Sequence, residues 1–416
     1  MRQMKDSGIE WIGEIPQDWN MIRLRFLCEI KTGNQDTQDR NPDGKYPFYV
    51  RSPIVEKCDN YSFDGSAILM AGDGVGAGKV FHIVDGKYGC HQRVYSLQNI
   101  KDIDRKYLYY ILQNRFYVSI DTANSKSTVD SVRQNMLLDF PVVHGTWDVQ
   151  RKIVCCLDNK CTEIDNAIAK TTASIEEYKK LKQAIITKAV TKGICGNRPM
   201  KDSGIEWIGE IPSDWEICKV RHIGTLQNGI SKGGEFFGSG FPFVSYGDVY
   251  RNISLPACVD GLVQSSSEEQ KLYSVQEGDI FFTRTSETIE EVGFSSVCEN
   301  DIPKATFAGF LIRLRPNKNK IYSGFSKYYF RSSHHRSFLV KEMNLVTRAS
   351  LGQSLLKSMF VLLPGMNEQY EIAEYLDSKC NEIDNITSRK QQLITELEAY
   401  KKSLIYEYVT GKKEVV

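Results

Sequence analysis

The strongest constraint on this chain is an internal duplication. Residues Met4 to Trp19 run MKDSGIEWIGEIPQDW and residues Met200 to Trp215 run MKDSGIEWIGEIPSDW, differing only at Gln17 against Ser213. The match resumes at Gln150 and Gln369, now with an offset of 219 instead of 196. Its core is Leu157-Asp-Asn-Lys-Cys-Thr-Glu-Ile-Asp-Asn against Leu376-Asp-Ser-Lys-Cys-Asn-Glu-Ile-Asp-Asn. One unit is therefore written twice: a fixed opening, a divergent middle and a fixed closing segment, with the second middle 23 residues longer. Two such long repeats do not suit a solenoid and predict a pseudo-twofold molecule. The expected division is a first globular region with its opening segment at 1–148, a helix at 149–199, a second globular region with the repeated opening at 200–367, and a helix at 368–416.

The closing segments carry heptads. Leu157, Ile164, Tyr178 and Ile185 recur with Thr171 interrupting, and Leu376, Ile383, Leu397 and Leu404 recur with Lys390 in the interrupting place. Ile386, Leu393 and Tyr400 supply a second line. Sustained heptads require a partner helix, and two copies in one chain pair most simply with each other as an antiparallel coiled coil. About forty residues at ~1.5 Å rise make a rod of roughly 60 Å, nearly two turns of B-DNA. In the openings, Ile9, Trp11, Ile12, Ile15 and Trp19 crowd around Pro16, which predicts an extended anchor that packs onto another element. Asp6, Glu10 and Glu14 lie among these packing residues, so docking outweighs an acid–base role.

Both middles show short apolar runs separated by Gly, Asp and Asn. Tyr46–Val50, Ala67–Ala71, Val80–Val84 and Val94–Leu97 predict strands in the first, and Phe241–Tyr246, Asp279–Thr283, Phe294–Cys298 and Phe310–Leu314 in the second. Lys106–Tyr117 has helical periodicity and is matched here to Lys327–Phe338. The expected fold is α+β: two globular domains separated by two long helices.

Apolar residues at 41% and charged residues at 25% exclude general disorder. No apolar run reaches the roughly eighteen residues of a membrane span, and no signal peptide opens the chain. Eleven cysteines without zinc spacing fit a reduced cytoplasmic protein. Net charge is only +1, yet Lys304–Arg348 holds ten Lys or Arg against Glu342 alone, and Lys79–Arg133 holds nine basic and five acidic residues. Such stretches, interleaved with aromatics, predict phosphate contacts.

Enzymatic motifs fail. Gly72-Asp-Gly-Val-Gly-Ala-Gly-Lys79 resembles a phosphate loop, but Asp73 stands where glycine is needed and Val80 where Ser or Thr should hold magnesium. A glycine turn between strands is the better reading. Acid-x-Lys triplets such as Asp85-Gly-Lys87 are weak nuclease signals, and the six histidines form no ligand-spaced or triad-like set.

The repeated KDSGIEWIGEIPxDW opening, divergent middle and heptad helix ending in Val190-Thr191-Lys192-Gly193 or Val409-Thr410-Gly411-Lys412 resemble the specificity subunit of type I restriction–modification systems over the full length. The resemblance implies two target recognition domains, each recognising half of a bipartite site in double-stranded DNA, on a helical spacer that sets their distance. It implies no catalysis by this chain. Two methyltransferase subunits would carry S-adenosylmethionine, and two restriction subunits would carry ATP and Mg. No cofactor or metal is expected on this chain, and no membrane partner.

Base- or phosphate-contacting candidates are polar residues at strand-to-loop junctions, because Arg suits guanine and Gln or Asn suits adenine. In the first half they are Lys79, His91, Gln92, Arg93, Lys126 and Ser127 (within Asn124–Ser127) and Arg133; in the second, Thr283, Arg284, Thr285, Ser286, Arg336, Thr347, Arg348 and Gln353. Two rival readings are a helical-rod scaffold with two protein-binding domains and a self-contained nuclease.

Overall fold

The computed structural model describes residues 2–121, 131–286, 292–342 and 349–415. It divides into two compact units, Met1–Thr172 with Gln391–Val416, and Ala173–Lys390. The division cuts through both predicted helices, so each unit contains part of each.

In the first unit, β1 (Glu29–Thr32), β2 (Ala67–Ala71), β3 (Phe81–Val84) and β4 (Val94–Gln98) form an antiparallel sheet in the order β1-β4-β2-β3. Every residue of β2 is buried, which explains its unbroken run Ala-Ile-Leu-Met-Ala. Tyr46–Tyr49 pairs in parallel with Lys87–Cys90 in a second sheet. Three helices follow: α1 (Arg105–Asp121), α2 (Gln134–Leu138) and α3 (Trp147–Lys192). The second unit repeats this plan. Its strands β5 (Gly224–Asn228), β6 (Ile280–Thr283), β7 (Ser295–Val297) and β8 (Leu311–Pro316) take the equivalent order β5-β8-β6-β7. Phe237–Val244 again pairs in parallel, with Thr306–Phe307. Helices α4 (Ser323–Tyr329), α5 (Ser333–Glu342), α6 (Gln353–Ser358) and α7 (Met366–Val409) complete it. The extra length of the second middle includes two short helices, Tyr246–Arg251 and Ser267–Leu272, that lack counterparts between Tyr49 and Ala67.

A buried glutamine joins each long helix to its globular region. Gln150 Oε1 accepts from Asp104 N at 2.8 Å while its Nε2 donates to Gly145 O at 3.0 Å. Gln369 repeats both bonds, with Tyr322 N at 2.7 Å and Pro364 O at 2.9 Å. About two turns further along each long helix, Tyr110 donates to Asp158 and Tyr328 to Asp377, both at 2.7 Å. These bonds make Asp104 equivalent to Tyr322 and Tyr110 to Tyr328. The sequence match of Lys106–Tyr117 to Lys327–Phe338 is therefore three residues out of register. The Lys-Tyr pair that suggested it recurs almost one turn away, on nearly the same helix face. Lys106 and Lys327 nonetheless both reach the same carboxylate, Asp158 or Asp377.

The long helices pack antiparallel within each unit. In the first, Asp165 of α3 meets Lys401 of α7 at 2.7 Å; in the second, Lys182 meets Asp384 at 2.7 Å and Lys390 lies over the Tyr178 ring. Residues 165 and 384, and 182 and 401, are repeat mates, so one ion pair has been made twice. Leu157, Ile164, Leu376, Ile383 and Leu404 are buried in the seam; Tyr178, Ile185 and Leu397 are half-buried. Of the second predicted line, Ile386 is half-buried and the other two residues fail. Leu393 and Tyr400 are exposed, and the alternate seam positions are filled instead by Cys161, Ile175, Cys380 and Ile394. Both lines alternate steps of three and four residues with the first, so spacing does not separate them, and the packing buries the line one residue further on.

The openings are hairpins, Met4–Asp6 with Glu14–Pro16 and Met200–Asp202 with Glu210–Pro212. Trp19 and Trp215 are fully buried against the ends of the long helices: Trp19 by Gly411, and Trp215 in a core with Ile186, Ala189 and Val190. Gly193 and Gly411 end α3 and α7 with positive φ, as a left-handed cap requires. Asp6 and Asp202 accept from the N–H of Gly8 and Gly204 and shape turns, in keeping with a docking role. The copies differ in how the indole nitrogen is satisfied. Trp215 Nε1 donates to Glu368 at 2.8 Å, and Glu368 also pairs with Arg198. Val149 occupies the equivalent place in the first copy, and Trp19 Nε1 is buried without a hydrogen-bond partner among the described residues.

Three outcomes are expected. Leu157→Asp or Leu376→Asp places an unpaired carboxylate in the seam at a cost of about 3–5 kcal/mol, visible as a lowered Tm or loss of the folded species by size-exclusion. Glu368→Val strips Trp215 of its acceptor, leaves Arg198 with Asp214 alone, and costs about 1–3 kcal/mol by denaturant unfolding. Burial pushes His334 down to about 4 and His335 to about 3. Both are lower than the ~6.5 of the unfolded chain, so their contribution is complete above that pH and is lost as pH falls toward the folded values. Tm should drop between pH 7.5 and 5.5, and His335→Phe should flatten that slope.

Candidate nucleic-acid interface

The two central sheets end in the same backbone frame. Beyond β2, Gly72 N donates to Arg93 O at 2.8 Å and Gly72 O accepts from Val132 N at 2.7 Å. Beyond β6, Arg284 N donates to Phe310 O at 2.9 Å and Arg284 O accepts from Leu351 N at 2.7 Å. Asp73 bridges to Ser131 as Thr285–Ser286 pairs with Ala349–Ser350. Gly72, Arg93 and Val132 are thus equivalent to Arg284, Phe310 and Leu351. Strand ends of this kind present side chains from several loops at once, the arrangement that base-edge recognition needs.

In the first unit the frame borders a cleft of about 480 Å³ whose walls include Asp73, Gln92, Arg93, Tyr95, Ser131 and Arg133. Three predicted residues, Gln92, Arg93 and Arg133, are brought together there, all exposed. Asp73 sits between Arg51 at 3.1 Å and Arg93 at 3.7 Å, so a single carboxylate orients two guanidinium groups. Asp36 accepts from Gln92 Nε2 at 3.1 Å. The Thr37 N–H, followed by His91, holds the Asp36 carboxyl below its usual range. His91 itself is buried, with Nδ1 accepting from Arg93 N at 3.0 Å. Its ring braces the turn and is not presented to solvent, a correction to its place among the base-reading candidates. Lys79 is exposed outside the cleft, with its ammonium 4.3 Å from the Tyr117 ring centroid. Gly74 and Gly78 have positive φ in the loop joining β2 to β3, so the glycine-rich run is a turn.

In the second unit, Arg284 and Thr285 are half-buried at the frame, and Ser286 continues the short strand. Gln353 opens α6 and donates to Asn228 Oδ1 at 2.9 Å. Thr283 is fully buried, its hydroxyl accepting from Phe294 N at 2.9 Å, and it too holds the loop instead of facing outward. Arg336 lies elsewhere, on α5, donating to Val292 O and covering the Phe294 ring. Lys126, Ser127, Thr347 and Arg348 lie outside the described residues.

The basic excess of Lys304–Arg348 is largely spent inside the fold. Arg313 is buried and bonded to Gln227 and Ser274, and burial lowers it to about 10. Arg315 pairs with the buried Asp279 at 2.6 Å. Arg331 donates to four backbone carbonyls, and Lys327 pairs with Glu299 and Asp377. Local net charge alone did not distinguish a phosphate-binding face from arginines recruited as internal donors. Sequence reasoning also missed Arg51, Asp36, Asp73 and Phe310, whose roles follow from pairings across strands far apart in the chain.

The sequence pattern of the type I restriction modification DNA specificity domain matches residues 16–177 and again 212–396. The type I restriction enzyme EcoDI specificity subunit of Escherichia coli is 28% identical over 179 residues, 43% of this chain and 39% of that protein. The MjaVIII specificity subunit of Methanocaldococcus jannaschii is 25% identical over 96% of this chain and 94% of its own length. A chain from a structure described as showing complex assembly and conformational transition of the type I R-M system superposes with a TM-score of 0.72 at 15% identity, covering 96% of this chain and 99% of that one. The HsdS subunit from Thermoanaerobacter tengcongensis gives a TM-score of 0.51 at 15% identity, covering 96% and 98%. With its repeated frame and two domain matches, this chain belongs to the family of type I restriction–modification specificity subunits.

Proposed function

We propose that this chain is the non-catalytic DNA-reading subunit of a type I restriction–modification complex, with each unit recognising its own half of a bipartite duplex target. The supporting observation is that one backbone frame recurs in both units with different side chains mounted on it: Gly72, Gln92 and Arg93 in one, Arg284, Gly309 and Phe310 in the other. A shared frame conserves how the backbone meets DNA, and divergent side chains select different bases. Two methyltransferase subunits carrying S-adenosylmethionine and two ATP-driven restriction subunits with Mg complete the assembly, in a cytoplasmic setting. Neither cofactor nor metal is assigned to this chain: the Gly72–Lys79 run forms a turn whose sequence lacks the residues of a nucleotide loop.

The test is a gel shift of duplex DNA by the chain with its methyltransferase partner across a salt series. Affinity should fall linearly on a log–log plot. Arg93→Ala with Arg133→Ala should weaken binding about tenfold or more, with a shallower salt slope if either side chain meets a phosphate. A protein-binding scaffold gives no shift, and a nuclease cuts DNA with Mg in the absence of partners. Stoichiometric binding of ATP or S-adenosylmethionine by the isolated chain in calorimetry contradicts the division of labour.

A further inference from the structure

The turns that lead into β4 and β8 share a backbone and differ sharply in what they display. Val94 N donates to His91 O, and Leu311 N donates to Ala308 O, both at 2.9 Å. Gln35 N donates to Cys90 O at 3.2 Å, as Ile230 N does to Phe307 O at 2.8 Å. His91, Gln92 and Arg93 therefore correspond to Ala308, Gly309 and Phe310. Where the first unit presents an amide and a guanidinium, the second presents only a phenyl ring.

That ring is held out to solvent. Phe310 is 64% exposed, and among the described residues it stacks on no other ring. Its backbone is held on both sides, because its carbonyl accepts from Arg284 N and the following Leu311 N donates to Ala308 O, both at 2.9 Å. A single exposed apolar residue is ordinary on a protein surface. This one occupies the place of Arg93, beside the half-buried Arg284, on the frame from which the first unit presents its donors. A phenyl ring has neither donor nor acceptor for a base edge. In the major groove the feature it complements is the 5-methyl group of thymine. We propose that Phe310 is a specificity-determining residue of the second unit that contacts a thymine methyl in its half-site. The proposal rests on the DNA-reading function given above.

The experiment uses the complex with the methyltransferase subunit and the target motif obtained by methylome sequencing. Each thymine of both half-sites is replaced in turn by deoxyuridine, which removes the methyl group and leaves the pairing edge intact. The wild-type complex should lose about fivefold in affinity at one thymine, the effect of one buried methyl group. Phe310→Ala should lose affinity for the thymine duplex and no longer distinguish the two bases there. Phe310→Leu should retain part of the preference, and Arg93→Ala should leave it unchanged. The Tm of Phe310→Ala should match wild type, since the ring packs on little. A uracil effect at no position, one that persists in Phe310→Ala, or a motif with no A·T pair in the half that Phe310→Ala alters overturns the assignment and leaves the DNA-reading function standing. A ring wedged between base steps would give loss in Phe310→Ala without any methyl dependence, which also overturns it. Absence of any methylated motif or sequence-specific binding overturns both.

Discussion

Neither long helix can hide its apolar stripe alone, and the rest of the structure follows from that. Leu157, Cys161 and Ile164 of α3 share a core with Leu404 and Ile405 of α7, and Ile186 of α3 shares one with Leu376 and Cys380. Each unit is therefore built on the start of one helix and the end of the other. The ion pairs Asp165–Lys401 and Lys182–Asp384 flank the seam at repeat-related positions. Both are partly exposed and contribute little free energy; they favour one alignment of two similar stripes. The buried Gln150 and Gln369 then fix where each globular region starts relative to its helix, and the hairpin openings cover the helix ends with Trp19 and Trp215.

Much of this was legible in the residues. A sixteen-residue opening repeated with one change, and a heptad pattern preserved at a fixed offset, left little freedom in the architecture. What failed did so for local reasons. Leu393 and Tyr400 are apolar and heptad-spaced, so pattern alone placed them in the seam; the packing selects the line through Cys380 and Ile394, which a search for large aliphatics overlooks. The Lys-Tyr coincidence shifted the α1-to-α4 match by nearly a turn. Hydrogen bonds from Gln150 and Gln369 correct it, and no sequence pattern announces such bonds.

The site was less legible than the fold because its parts are far apart in the chain. Gln92, Arg93 and Arg133 were recognisable as donors, but their convergence depends on Val132 pairing with Gly72, and the orientation of Gln92 and Arg93 on Asp36 and Asp73 respectively. His91 and Thr283 look like surface donors in sequence and are buried braces in the fold. The largest basic cluster misled for a related reason. Arg313, Arg315 and Arg331 are consumed by carbonyls and by Asp279. A donor-rich half-buried loop and a phosphate-binding surface share a composition, and only burial separates them.

The central claim is that each unit carries its own specificity on a common frame. Its most direct measurement is the methylated motif of a chimera in which residues 216–366 are replaced by the corresponding middle of a related specificity subunit, with the openings and long helices left intact. The account predicts that one half of the bipartite motif changes to that of the donor and the other half, identified with Gln92 and Arg93, is unchanged. A chimera that folds and methylates with both halves altered, or with neither altered, would contradict it.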